Sequence, residues 1–249
     1  MPMHTLMKKA WLETRARFYA AALVLTVLGV STVARAPATI SGWEAFHRGE
    51  QMSYALYVWL SLSHGFLQFL WVVSAVVLGL GGLMRERATG TSGFTLALPA
   101  GRSTHVAARA FVGALEAIVL GFIPGLFVVV LSPLAGFRYP LSQAVLFGAL
   151  LVSAGLVFYA FGFFLSHLLH GEYAPPGVAL ATIAAFYILT KLPRLEHLNV
   201  FDAMDGKQVL IGQTFYLGGT YPVGTIAVSL TCALSLIALS VWRARVEDF

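Results

Sequence analysis

Residues 54–84 read YALYVWLSLSHGFLQFLWVVSAVVLGLGGLM, and residues 85–109 continue RERATGTSGFTLALPAGRSTHVAAR. The first block, and the run Ala110 to Ser132 that follows the second, are each long enough to cross a bilayer, for which a helix needs ~20 predominantly apolar residues. The block between them carries five arginines and glutamates, at positions 85, 86, 87, 102 and 109. Inside hydrocarbon those charges would be costly. Between two spans they form a loop in water, open to a soluble partner. The stretch therefore marks an all-α polytopic membrane protein.

The rest of the chain agrees. Of 249 residues, 58% are hydrophobic and 11% charged, against roughly 25% charged in an average soluble domain. No stretch between the apolar runs is long enough to fold alone, so residues 1–249 are read as a single transmembrane domain. Six segments pass the length test: Phe18–Ala36, Tyr54–Met84, Val106–Ser132, Leu141–His167, Pro176–Leu192 and Pro222–Trp242. Six transmembrane helices put both termini on one side. Of the 16 Lys and Arg residues, ten fall on that side (Lys8, Lys9, Arg15, Arg17, Arg85, Arg87, Arg102, Arg109, Arg243, Arg245) and six on the other (Arg35, Arg48, Arg138, Lys191, Arg194, Lys207). Positive charge accumulates on cytoplasmic flanks, which places both termini in the cytoplasm. Trp11, Tyr19 and Trp242 then sit at the inner boundary, and Tyr54, Tyr57, Trp59, Tyr139 and Tyr221 at the outer one. Trp71 fits neither belt and is expected to be packed.

The N-terminus resembles a cleavable signal in having Lys8, Lys9, an apolar run and Ala34-Arg35-Ala36. Its polar lead contains Glu13, however, and its apolar run is longer than the usual ~7–15 residues. Met3, Met7, Trp11, Thr14 and Phe18 share one helical face, opposite Lys8, Lys9, Glu13 and Arg15. Residues 1–17 are accordingly expected to form an interfacial helix on the inner surface before the chain turns into the bilayer. The net charge of +5 is scattered over loop ends and matches topology, not a nucleic-acid surface. The single Cys232, within the last apolar segment, has no partner for an internal disulfide and reads as a small packing residue.

In order along the polar block stand Arg85, Glu86, Arg87, Gly90, Thr91, Phe94, Leu96, Leu98, Pro99, Ala100, Gly101 and Arg102. A charged cluster closing a span, a Gly-Thr, a short apolar element and a Leu-Pro followed by Arg resemble the permeases of ABC-2 type transporters. Trp11 to Arg15 (WLETR) and residues 243–249 (RARVEDF) are similar to stretches of the same family. The resemblance implies a six-span membrane subunit of a bacterial exporter, multi-pass in the inner membrane. It also implies two copies of an ATP-binding cassette subunit as partners, with ATP and Mg on that subunit and no cofactor on this chain, and a second permease copy or paralogue.

The polar block has a physical reading of its own. Gly90 and Gly93 permit a turn as the chain leaves the bilayer. Phe94–Leu98 form a short apolar element that Pro99 stops. Residues 85–105 are thus expected to be a cytoplasmic coupling loop, with Phe94, Leu96, Leu98 and Pro99 in a groove of the ATP-binding subunit and Arg85, Glu86, Arg87 and Arg102 around them. The chain has no Gly-x-x-x-x-Gly-Lys-Ser/Thr phosphate loop, so ATP hydrolysis is assigned to the partner.

Within the membrane, Glu116 lies about ten residues into the third span, at ~15 Å depth. His64 and Gln68, one turn apart on the second span, count to a similar depth. The three are expected to cluster, either on a translocation path or as a neutral lock between helices. His167 and His170, followed by Glu172, lack the further ligands a zinc site needs, and no metal site is assigned. Gly148, Gly155 and Gly162 share a face for close packing, and Gly121, Pro124 and Gly125 are expected to interrupt or bend the third span. Residues 193–221 are too apolar for a free loop and are expected to form short helices at the outer interface. A secondary transporter or channel would show matched internal repeats, and an intramembrane enzyme a converging nucleophile, base or metal set; neither pattern is convincing here.

Overall fold

Helix α1 runs unbroken from Met3 to Phe46. In the computed structural model, which describes residues 3–47, 51–64, 66–80, 101–169, 174–192, 199–211 and 215–246, it is the longest element. At ~1.5 Å per residue its 44 residues reach ~66 Å, more than twice the ~30 Å hydrocarbon core. The turn expected after residue 17 is absent. No glycine or proline lies between Met3 and Leu28, and Ala20, Ala21, Ala22, Leu23 and Leu25 favour continuation.

The second span is interrupted. Helix α2, Tyr54–Val58, is capped by the Ser53 hydroxyl, which accepts from the Leu56 N–H at 3.1 Å. The chain then widens into a π-helical turn, Trp59–Ser63, closed by the His64 N–H on the Trp59 carbonyl at 2.8 Å. His64 itself is extended, and α3 resumes at Phe66–Gly79. Helix α4, Arg102–Leu131, passes through Gly121, Pro124 and Gly125 without interruption. Those small residues serve contact instead: a side chain at Gly121 would meet Val152, and one at Gly29 of α1 would lie 2.9 Å from the Pro124 carbonyl.

Helix α5, Leu141–Leu168, is the axis of the bundle. A Cβ at Gly148 would strike Phe122 of α4, at Gly155 Trp71 of α3, and at Gly162 the Val76 backbone. All three neighbours belong to this chain, so the seven-residue glycine spacing is internal packing. Trp71 is fully buried, with its indole N–H donated to the Ala117 carbonyl at 3.1 Å; Tyr159, also fully buried, donates to the Ala110 carbonyl at 2.9 Å.

Helix α6, Ala174–Leu189, has 16 residues and spans only ~24 Å. A short helix, α7 (Val200–Met204), packs on its last turn: the Phe186 and Tyr187 rings lie 6.0 and 5.0 Å from that of Phe201. Residues 199–211 and 215–217 also hold a 3-10 turn at Lys207–Val209 and an antiparallel bridge between Leu210 and Leu217, with Met204 and Val209 buried. Helix α8, Val223–Val246, runs parallel to α5, with the Ser229 hydroxyl on the Ala154 carbonyl. Its Cys232 is exposed rather than packed.

Among the described residues, five stretches are long and apolar enough to cross a membrane: Met3–Phe46, Tyr54–Gly79, Arg102–Ala135, Leu141–Leu168 and Val223–Val246. The expected segment Pro176–Leu192 corresponds to α6 and falls short of that length. Exposed Leu23, Val27, Phe69, Phe111, Val119, Val130 and Leu234 give the helices an apolar exterior, as a bilayer requires.

Candidate coupling region and membrane-interior site

The N-terminal turns of α1 tie together the two helices that bracket residues 81–100. Arg17 donates to the carbonyls of Leu80, the last described residue after α3, and of Val77 at 3.4 Å. A cation at a helix C-terminus satisfies orphan carbonyls and opposes the helix dipole. Glu13 holds Arg109 of α4 at 3.2 Å and Lys9 of its own helix at 3.7 Å. One turn of α1, Glu13–Arg17, therefore grips both roots of the polar block. Arg102 begins α4 behind Gly101. Arg85, Glu86, Arg87, Phe94, Leu96, Leu98 and Pro99 lie outside the described residues.

Deeper along α4, buried Glu116 accepts a hydrogen bond from Thr14 of α1, whose hydroxyl also lies 3.1 Å from the Ala10 carbonyl. Glu116 Oε2 is buried and has no hydrogen-bond partner among the described residues. The expected cluster with His64 and Gln68 does not form. The indole of Trp71 meets Ala117, so Glu116 lies level with Trp71, whereas Gln68 and His64 sit one and two turns farther along. The count through the second span assumed a continuous helix, and the π-turn removes that assumption.

Gln68 instead donates its amide to the Phe201 carbonyl of α7. His64 Nδ1 lies 2.8 Å from Asp205 Oδ2, just beyond α7, and the His64 ring stacks on Trp59 at 4.8 Å. Asp205 is buried, accepts the Lys207 N–H at 2.8 Å on its other oxygen, and offers its carbonyl to the Trp59 indole at 3.0 Å. Burial pushes the Asp205 carboxyl above its ordinary value; the Lys207 N–H and His64 oppose that rise. Sequence analysis missed Asp205 because residues 193–221 read as an interfacial segment, where an Asp is expected to face water, not a buried partner. Thr14 and Arg17 were visible there, Thr14 as a polar residue on an apolar face, but had no assigned partner.

His167 is buried, with Nδ1 2.8 Å from the Phe163 carbonyl of its own helix. His170 and Glu172 lie outside the described residues.

A bundle of long apolar helices around a glycine-faced central helix, with buried polar ties and an apolar exterior, defines a polytopic membrane protein. Residues 8–213 match the family described as ABC-2 family transporter protein, and the chain belongs to that family. It is thus a multi-pass membrane transport component, a permease of an ABC transporter. Comparison with curated proteins finds no match.

Proposed function

We propose that this chain is the permease subunit of an ATP-driven exporter, coupling ATP hydrolysis on a separate nucleotide-binding subunit to substrate translocation. Residues 85–105 form its cytoplasmic coupling loop. Phe94, Leu96, Leu98 and Pro99 seat in a groove of the ATP-binding subunit, and Arg85, Glu86, Arg87 and Arg102 make charged contacts around them. Two ATP-binding cassette subunits, carrying ATP and Mg, pair with two permeases, either copies of this chain or this chain and a paralogue. In the inner membrane α6 is the fifth of six crossings, completed by α7 from the outer side, so both termini lie in the cytoplasm.

The observation that supports this reading most is the grip of Glu13 and Arg17 on Arg109 and Leu80. A push on a loop whose roots are tied to α1 moves α1, α3 and α4 together as a rigid group. Family membership supplies the ATPase as the source of that push. The test is a double substitution, Phe94→Asp with Leu98→Asp, in the complex purified with its ATPase. Loss of permease-stimulated hydrolysis and of transport together is expected. Unchanged stimulation and transport would remove docking from this loop.

A further inference from the structure

Between α1 and the interrupted second span lies a groove of about 630 Å³. Its size falls in the roughly 300–1,000 Å³ range of small-molecule sites. The interruption creates it. Where Trp59–Ser63 leave α-helical geometry and α3 restarts at Phe66, the wall facing α1 stands open, and Phe66 is 60% exposed. Val24, Val27, Leu28, Phe66 and Leu70 form an apolar trough along it, and Arg35, Ser31, Thr39, Tyr57 and Ser61 form its polar end.

The order of these residues along α1 matches the order of an amphiphile. The Tyr57 hydroxyl donates to the Thr32 carbonyl at 2.7 Å, and the Tyr54 hydroxyl pairs with Ser132 just past α4 at 2.6 Å. Arg35, one turn past Thr32, therefore sits where the spans end, while the trough descends ~16 Å toward Val24. Among the described residues no carboxylate pairs with Arg35. A guanidinium at this level is a fork for a phosphate. Thr39 spends its hydroxyl proton on the Arg35 carbonyl at 2.9 Å and so presents acceptor lone pairs at the polar end. A headgroup that complements this end carries one anionic phosphate and hydroxyl donors, with an acyl chain below it.

We propose that this groove is a binding site for an anionic glycerolipid of the bilayer, its phosphate on Arg35, its headgroup hydroxyls toward Thr39, and one acyl chain along Val24, Val27 and Leu28. The site needs only the membrane chain and is independent of the ATPase coupling proposed above. The full-length permease, purified alone in a zwitterionic detergent, is titrated with phosphatidylglycerol, phosphatidylcholine or glycerol phosphate, and retained ligand is counted by native mass spectrometry. Phosphatidylglycerol is expected to be retained in preference to phosphatidylcholine, with glycerol phosphate not retained. Arg35→Gln is expected to weaken phosphatidylglycerol retention about fivefold, the factor expected from one basic side chain at a lipid headgroup. Arg138→Gln removes the same charge from an exposed position outside the groove and is expected to change little. Val27→Trp, at another exposed position, fills the trough without touching charge and should lower retention of the lipid as well. Equal retention of the two lipids, retention of glycerol phosphate alone, or equal losses from Arg35→Gln and Arg138→Gln would each overturn the site.

Discussion

Thr14 has one hydroxyl proton and three acceptors in reach, the Glu116 carboxyl, the Ala10 carbonyl and, at 3.4 Å, the Trp11 carbonyl. Pairing with Glu116 turns a buried acid from an isolated liability into a tie between α1 and α4. Removing one partner leaves the other desolvated and unsatisfied, which costs ~1–3 kcal/mol. Thr14→Val, isosteric but without the hydroxyl, should therefore lower the thermal unfolding midpoint of the detergent-solubilised chain. Combined with Glu116→Leu, the loss should be smaller than the sum of the two single losses, because both polar ends are then gone. Additive losses in that cycle would mean the pair is not coupled. Glu116 was legible in the sequence as an ionisable residue too deep to lack a partner. Its partner was not, since the pairing depends on α1 and α4 lying parallel, which a one-chain pattern of hydrophobicity does not encode.

At the scale of elements, the sequence showed where helices lie better than where they break. The apolar segments became α1, α4, α5 and α8, and the glycine face of α5 was visible from its spacing. The π-turn at Trp59–Ser63 had no decisive signature, because Ser61 and Ser63 are tolerated within a continuous spanning helix. It places His64 beside Asp205, and Trp59 and His64 together hold the α7 segment to the second span. That contact has a pH dependence of fixed sign. A folded-state value above the ordinary 3.8 means the folded chain binds the Asp205 proton more tightly than the unfolded chain. This stability contribution is fully present below the ordinary value and lost as pH rises through the raised one. Asp205→Asn should flatten that acid-side gain when unfolding midpoints are compared at about pH 4 and about pH 7; an undiminished gain in the variant would locate the titrating group elsewhere. On α5, a Cβ at Gly162 would sit 3.1 Å from the Val76 Cα, against backbone that has nowhere to move. Gly162→Val is expected to cost ~1–3 kcal/mol by prying α3 from α5, read as a lower unfolding midpoint with helix content retained.

For the whole molecule, the N-terminal turns of α1 decide how a force at residues 81–100 would spread. The amphipathic pattern of residues 3–18 suggested a helix lying flat, yet the same residues continue into a helix that reaches the far end of the bundle. The two readings differ in which face is covered: Leu6, Ala10 and Thr14 are buried, whereas Met3 of the apolar face is exposed. What separates them is the set of ties, Arg17 to the α3 terminus and Glu13 to Arg109. With those ties intact, α1 moves with the loop roots. If residues 85–105 dock as proposed, cutting the ties leaves docking in place while α1 lags. Arg17→Ala with Glu13→Gln should therefore leave partner-stimulated ATP hydrolysis within about twofold of the parent while transport falls about tenfold or more, a loss of ~1.4 kcal/mol in coupling. A parallel fall in both activities would place these residues in assembly of the complex, and unchanged transport would show that α1 takes no part in the stroke.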